Sequence, residues 1–161
     1  MNKFTTIILT VLLFSAFLMV LSGCNDDSPA VKNTPPVEIT VPIIESGIEF
    51  PEMVEKNLGD LDNRYFSIKT DGIEEASFWI NPAGANPDEI TVIKCDSADT
   101  ANNLKAFFED YVQGKISEWK DYQPGEMHKF DNVVITVRGN YIALFICADT
   151  AKALEVFNEM I

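Results

Sequence analysis

The chain has 161 residues, of which 12 are basic and 25 acidic, giving a formal charge of −13, with a single histidine and three cysteines. So acidic a surface excludes a nucleic-acid grip and a polybasic hold on anionic lipid, both of which need clustered cations, and it suits solubility, cationic partners or weak cation binding. One histidine is too few for histidine-rich metal sites or an HExxH zinc site, and the eight scattered glycines form neither a phosphate loop nor a dinucleotide fingerprint.

The chain begins with a targeting pattern. Lys3 supplies a positive start, and Phe4 to Val20 is apolar apart from Thr5, Thr6, Thr10 and Ser15. Leu21-Ser22-Gly23-Cys24 follows, with small residues of the kind that signal cleavage requires. A retained membrane helix is possible on length alone, but it leaves the Gly23-Cys24 junction unexplained. The four residues resemble the lipobox of bacterial lipoproteins at every position. That resemblance implies a signal peptide over 1–23, cut just before Cys24, and diacylglycerol on the cysteine sulfur. Two or more acyl chains hold a protein stably at a membrane, where one alone is marginal. The implied location is the outer face of the cytoplasmic membrane, with the membrane itself as partner through Cys24. The remaining chain carries 11 basic and 25 acidic side chains, a charge of −14.

Residues 24–47 read as a lipid-anchored, proline-rich tether. Asn25 to Pro29 is polar, and Pro35, Pro36 and Pro42 disfavour helix and strand alike, which predicts an extended spacer of about 3 Å per residue. Val37 to Ile44 is more apolar than a spacer requires, which leaves docking of part of it on the domain open. A single domain is expected over 48–161. Pro51-Glu52 suits the first turn of a short helix ending at Gly59. Tyr65–Ile68 and Ala76–Asn81 read as strands, Asn81 to Pro87 as a loop, and Ile90–Cys95 as a β-branched strand. Asp96 and Ser97 are N-cap candidates for a long helix whose stripe is Ala101, Leu104, Phe108, Tyr111 or Val112, Ile116 and Trp119. Pro124-Gly125 stops it.

A hairpin follows. Gly139-Asn140 as a two-residue turn pairs Arg138 with Tyr141, Val137 with Ile142, Ile135 with Leu144 and Val133 with Ile146. Those six inner residues are aliphatic and share one face. A last amphipathic helix, Thr150 to Met160, presents Ala153, Leu154, Phe157 and Ile161. The fold class is α+β: a small antiparallel or mixed sheet with the long helix and the C-terminal helix packed on it.

Chemistry is sparse. His128 lies in a polar stretch and reads as a solvated loop residue. Asp60-x-Asp62-x-Arg64 lacks the glycine and distal glutamate of a calcium loop. Glu74-Glu75 and Asp88-Glu89 are adjacent carboxylates, and adjacent residues seldom flank one bond as glycosidase acids must. Cys95 and Cys147 could form a disulfide in an oxidising compartment, although their apolar flanks favour buried thiols. No catalytic residue, cofactor or metal is expected. The one segment with the character of a binding loop comprises Trp79, Asn81, Asn86, Asp88 and Glu89, since loops on a rigid sheet carry function disproportionately. The simpler reading is a long connection between strands.

Pro87-Asp88-Glu89-Ile90 before its strand, the helix with Trp119, Tyr122-x-Pro124 after it, and Gly139-Asn140-Tyr141 at the hairpin together resemble a family of Gram-positive lipoproteins, domain of unknown function 4358. The resemblance spans about 48–161 and implies a lipobox, an acidic mature chain and a small α+β domain, with no catalytic residues to carry over. The expected role is a non-catalytic binding or assembly module at the cell envelope, with an envelope protein or small ligand as partner and no nucleic acid. The alternative is an envelope hydrolase.

Overall fold

A computed structural model describes residues 31–161. The expected signal segment, Cys24 and the first part of the spacer lie outside the described residues. The elements in order are α1 (Pro36–Ile44), β1 (Val54–Asn57), a 3₁₀ turn (Leu58–Asp60) leading into α2 (Leu61–Arg64), β2 (Ile73–Ile80), β3 (Glu89–Cys95), α3 (Ala98–Tyr122), a 3₁₀ segment (Pro124–Phe130), β4 (Val134–Arg138), β5 (Tyr141–Ile146) and α4 (Thr150–Met160).

The five strands form one antiparallel sheet in the order β1-β2-β3-β5-β4. Each face of it carries its own core. Phe78, Ile93, Ile142, Leu144 and Ile146 face α3, which brings Ala101, Leu104, Phe108, Val112 and Trp119. Ile90, Val92, Tyr141, Ala143 and Phe145 face the other way, under α1 and α4, which bring Ile39, Ile43, Ala153 and Phe157. The apolar run of β5 is thus buried along its whole length. A central strand covered on both faces requires such a run.

The hairpin has the expected register, Arg138 opposite Tyr141, Val137 opposite Ile142 and Ile135 opposite Leu144. Gly139 has a φ of +57° while Asn140 does not enter the left-handed region. A two-residue turn with glycine first needs that positive φ, which glycine alone takes freely. Val133 precedes the ladder, although it still packs on the α3 core. Ser97 caps α3 by accepting from the Thr100 N–H at 3.2 Å.

Three expectations fail. The spacer is not extended throughout: Pro36–Ile44 is a helix, with Ile39 and Ile43 completely buried. Pro36 stands in the first turn, where no intrahelical N–H bond is lost, and burial of the Ile39/Ile43 stripe outweighs the cost of Pro42. No helix starts at Pro51, because Val54–Asn57 pairs with Ile80–Ser77 as an edge strand and helix appears only at residue 58. Tyr65–Ile68 is not a strand. Tyr65 and Ile68 are both buried while Ser67, at φ +72°, reverses the chain between them. The following strand starts at Ile73 instead of Ala76, with a bulge between Ile73 and Glu75.

Candidate functional site

The loop residues take two kinds of place. Asn81 braces the loop itself, donating to the Glu52 carbonyl at 2.8 Å and accepting from the Ala85 N–H at 2.9 Å. The Trp79 indole donates at 3.3 Å to Thr40 Oγ1 of α1, which is also 2.7 Å from Ser77 Oγ, so Trp79 lies under α1. Asn86 is half-buried, with no partner for its Oδ1. Asp88 and Glu89, where the loop enters β3, are 1% and 0% exposed.

Glu89 is the centre of a buried polar cluster. The Tyr65 hydroxyl donates to its Oε1 at 2.6 Å and lies 2.6 Å from Thr91 Oγ1. Its Oε2 accepts from the Tyr111 hydroxyl at 2.8 Å, from Lys115 Nζ at 3.3 Å and from Arg64 Nη2. The Arg64 guanidinium lies 5.9 and 5.8 Å from the centres of the Tyr65 and Tyr111 rings. Burial by itself would raise the Glu89 carboxyl, but the charges of Arg64 and Lys115 and the donated hydrogen bonds outweigh it and hold the group at about 2. Burial instead wins at Lys115, whose ammonium is pushed down, with the Arg64 charge adding to the effect. The Tyr65 and Tyr111 phenols are pushed up by burial and by the Glu89 charge.

Asp88 takes a different partner, Lys129 Nζ at 2.5 Å, and the same ammonium reaches Glu126 at 3.0 Å. Burial raises the Asp88 carboxyl despite Lys129, and its Oδ1 has no partner.

These geometries limit the chemistry. A carboxylate held at about 2, with both oxygens occupied by donors, neither gives nor takes a proton near neutral pH. Glu89 therefore ties α2 and α3 to the start of β3. The other carboxylate pair, Glu74 and Glu75, lies at the surface and reaches Lys94 at 3.5 and 2.7 Å. His128 is exposed, its Nδ1 2.9 Å from the Gly125 carbonyl. Cys95 and Cys147 are free and buried, in the α3 core and the α1/α4 core respectively, and burial pushes both thiols up to about 11. The antiparallel register sets them at opposite ends of the β3–β5 pair, too far apart to bridge. Among the described residues no group of three or more His, Cys, Asp or Glu is placed to hold a metal ion, and no helix is long and apolar enough to cross a membrane.

Arg64, Tyr65, Tyr111 and Lys115 are missing from the candidates read from sequence. Only Tyr111 and Lys115, four apart on one helix face, carried a local signal for a polar pair. Arg64 and Tyr65 reach Glu89 across 25 and 24 residues of sequence.

Between α3 and the segment from Ser67 to Asp71 lies a groove of about 490 Å³, walled by Ser67, Lys69 and Asp71 on one side and Thr100, Leu104 and Phe107 on the other. Phe66, next to it, is 90% exposed.

A family model described as Domain of unknown function (DUF4358) matches residues 48–147. The match contains the whole sheet and α3, while α1 and α4, the two helices that cover the second face, lie outside it. No curated protein and no solved structure matches the chain.

Proposed function

The chain belongs to the family described as Domain of unknown function (DUF4358), and on that premise we propose that it is a membrane-anchored extracytoplasmic lipoprotein whose acidic domain is a non-catalytic binding or assembly module at the cell envelope. The observation that carries the module reading is Phe66, an apolar ring left in water beside an open, partly apolar groove. Burial is the default for such a ring, and an exposed aromatic beside a recess is the composition of an interface anchor. A hydrolase would draw on Asp88, Glu89, the thiols or His128, and each of these is engaged internally, buried or isolated.

The anchor rests on Leu21-Ser22-Gly23-Cys24. Expressed with a clickable palmitate analogue, the native chain should be labelled and recovered with membranes, whereas Cys24→Ala should be unlabelled and released or misprocessed. Equal labelling and retention of the two would sink the anchor. The module reading predicts discrete adducts after brief formaldehyde treatment of intact cells and affinity isolation. A chain that crosslinks to nothing would refute it.

A further inference from the structure

The segment from Tyr65 to Ile68 is fastened at both ends and strained in the middle. The Tyr65 hydroxyl is held by Glu89 and Thr91, and Ile68 is buried in the α3 core. Ser67 adopts a φ of +72°, a region that a residue with a Cβ enters at a cost. That reversal lets Tyr65 and Ile68 both point inward, and it leaves Phe66 outside. At 90% exposure Phe66 exceeds every other large apolar side chain among the described residues, Tyr122 being next at 62%.

The recess begins at the very next residue. Ser67 is part of its wall, and Leu104 and Phe107 give it an apolar base of about 490 Å³ in all. A cavity of roughly 150 Å³ is enough for a benzene ring, so a phenyl side chain fits with room for its backbone to approach. Lys69 and Asp71 stand on the same rim with opposite charges.

We infer that this patch binds a second copy of the chain about a two-fold axis, Phe66 of each copy entering the groove of the other. A two-fold interface needs the same surface on both partners, with projection and recess side by side, and the Phe66 patch has both. Across the axis the two rims run in opposite directions, which places Lys69 of one copy against Asp71 of the other. A small ligand could fill the groove but would leave Phe66 in water. The inference rests on the assembly reading and names its partner. The contact is small, because a buried aromatic contributes about 150–250 Å², which puts the interface in the transient class below roughly 1,200 Å². Anchoring in one membrane plane raises effective concentration, so a weak contact suffices there.

The test uses the full-length chain in its own membranes, with benzoylphenylalanine in place of Phe66. Illumination should give an adduct of twice the chain mass, its crosslink mapping to residues 100–107 of the second copy. Lys69→Asp or Asp71→Lys alone should lower the yield several-fold, and the two together should restore it. In detergent, Phe66→Ala should weaken self-association at least about 30-fold while its thermal melt stays unchanged, because the ring is exposed. A double-mass adduct mapping elsewhere, or no recovery in the charge-swapped double variant, overturns the proposal. Adducts to a different protein only would overturn self-docking and spare the assembly reading. No adduct of any kind would remove both.

Discussion

Glu89→Gln tests whether the buried carboxylate holds the fold together. Glu89 is completely buried and accepts from Arg64, Lys115, Tyr65 and Tyr111. Its carboxyl is held at about 2, against an ordinary 4.5. At about 1.4 kcal/mol per tenfold change in proton affinity, that depression corresponds to roughly 3 kcal/mol of native stability. Removing one partner of a buried ion pair costs about 3–5 kcal/mol by an independent route, since it strands the opposite charges, and the two figures agree. Glutamine keeps the shape and one acceptor but loses the charge that Arg64 and Lys115 require. The sign follows from the depressed value: the contribution is fully present above pH 4.5 and is lost as pH falls toward 2. Urea melts of residues 31–161, read by the fluorescence of Trp79 and Trp119, should therefore show the variant about 3 kcal/mol less stable at pH 7. The gap should narrow between pH 4.5 and 2. With a urea slope of about 1–3 kcal/mol per molar, the midpoint would fall by roughly 1–3 M. Equal midpoints at pH 7, or parallel profiles down to pH 2, would refute the view of Glu89 as the ionised centre of the clamp.

Two further outcomes test the core placement. Leu144→Ala, at a fully buried position facing α3, should cost about 2–5 kcal/mol, whereas Thr136→Ala, half-buried on the opposite face of the edge strand β4, should change stability by less than about 1 kcal/mol in the same denaturant assay; equal losses would mean that the hairpin register is wrong. Cys95 and Cys147, buried with thiols raised to about 11, should resist an aromatic disulfide reagent at pH 8 in the native domain and react promptly once urea unfolds it; fast native labelling would contradict their burial.

The buried cluster changes how the binding-loop residues are understood. In sequence, Trp79, Asn81, Asn86, Asp88 and Glu89 share a place in or next to a long proline-punctuated loop. In the fold, Asp88 and Glu89 turn to Lys129 and to the Arg64 cluster, Asn81 braces its own loop, and Trp79 contacts α1. The same clamp that buries Glu89 also fixes Tyr65, the residue before the exposed Phe66.

What the sequence determined by itself is local. The β-branched run Ile90–Cys95, the three-and-four spacing from Ala101 to Trp119, Ser97 as a cap, Gly139-Asn140 as a turn and the amphipathic run Thr150 to Met160 all act within a few residues, so they specified β3, α3, the β4–β5 hairpin with its register, and α4. Tertiary contacts decided the rest. Pro36–Ile44 reads as spacer because its prolines oppose helix locally, yet it is helical because the part of the second sheet face that α4 does not cover would otherwise lie in water, and Ile39 and Ile43 cover it. Val54–Asn57 becomes a strand only because β2 offers it an edge. Tyr65–Ile68 has the composition of a strand and the shape of a turn, because Glu89 pulls Tyr65 inward from 24 residues away. The candidate site was illegible for the same reason: a carboxylate in a sequence has no partners until the chain folds, and those of Glu89 come from α2, from α3 and from the turn between α2 and β2. Propensity acts over one or two turns, whereas burial and ion pairing act across the whole fold, and where the two conflicted in this chain the longer-range terms prevailed.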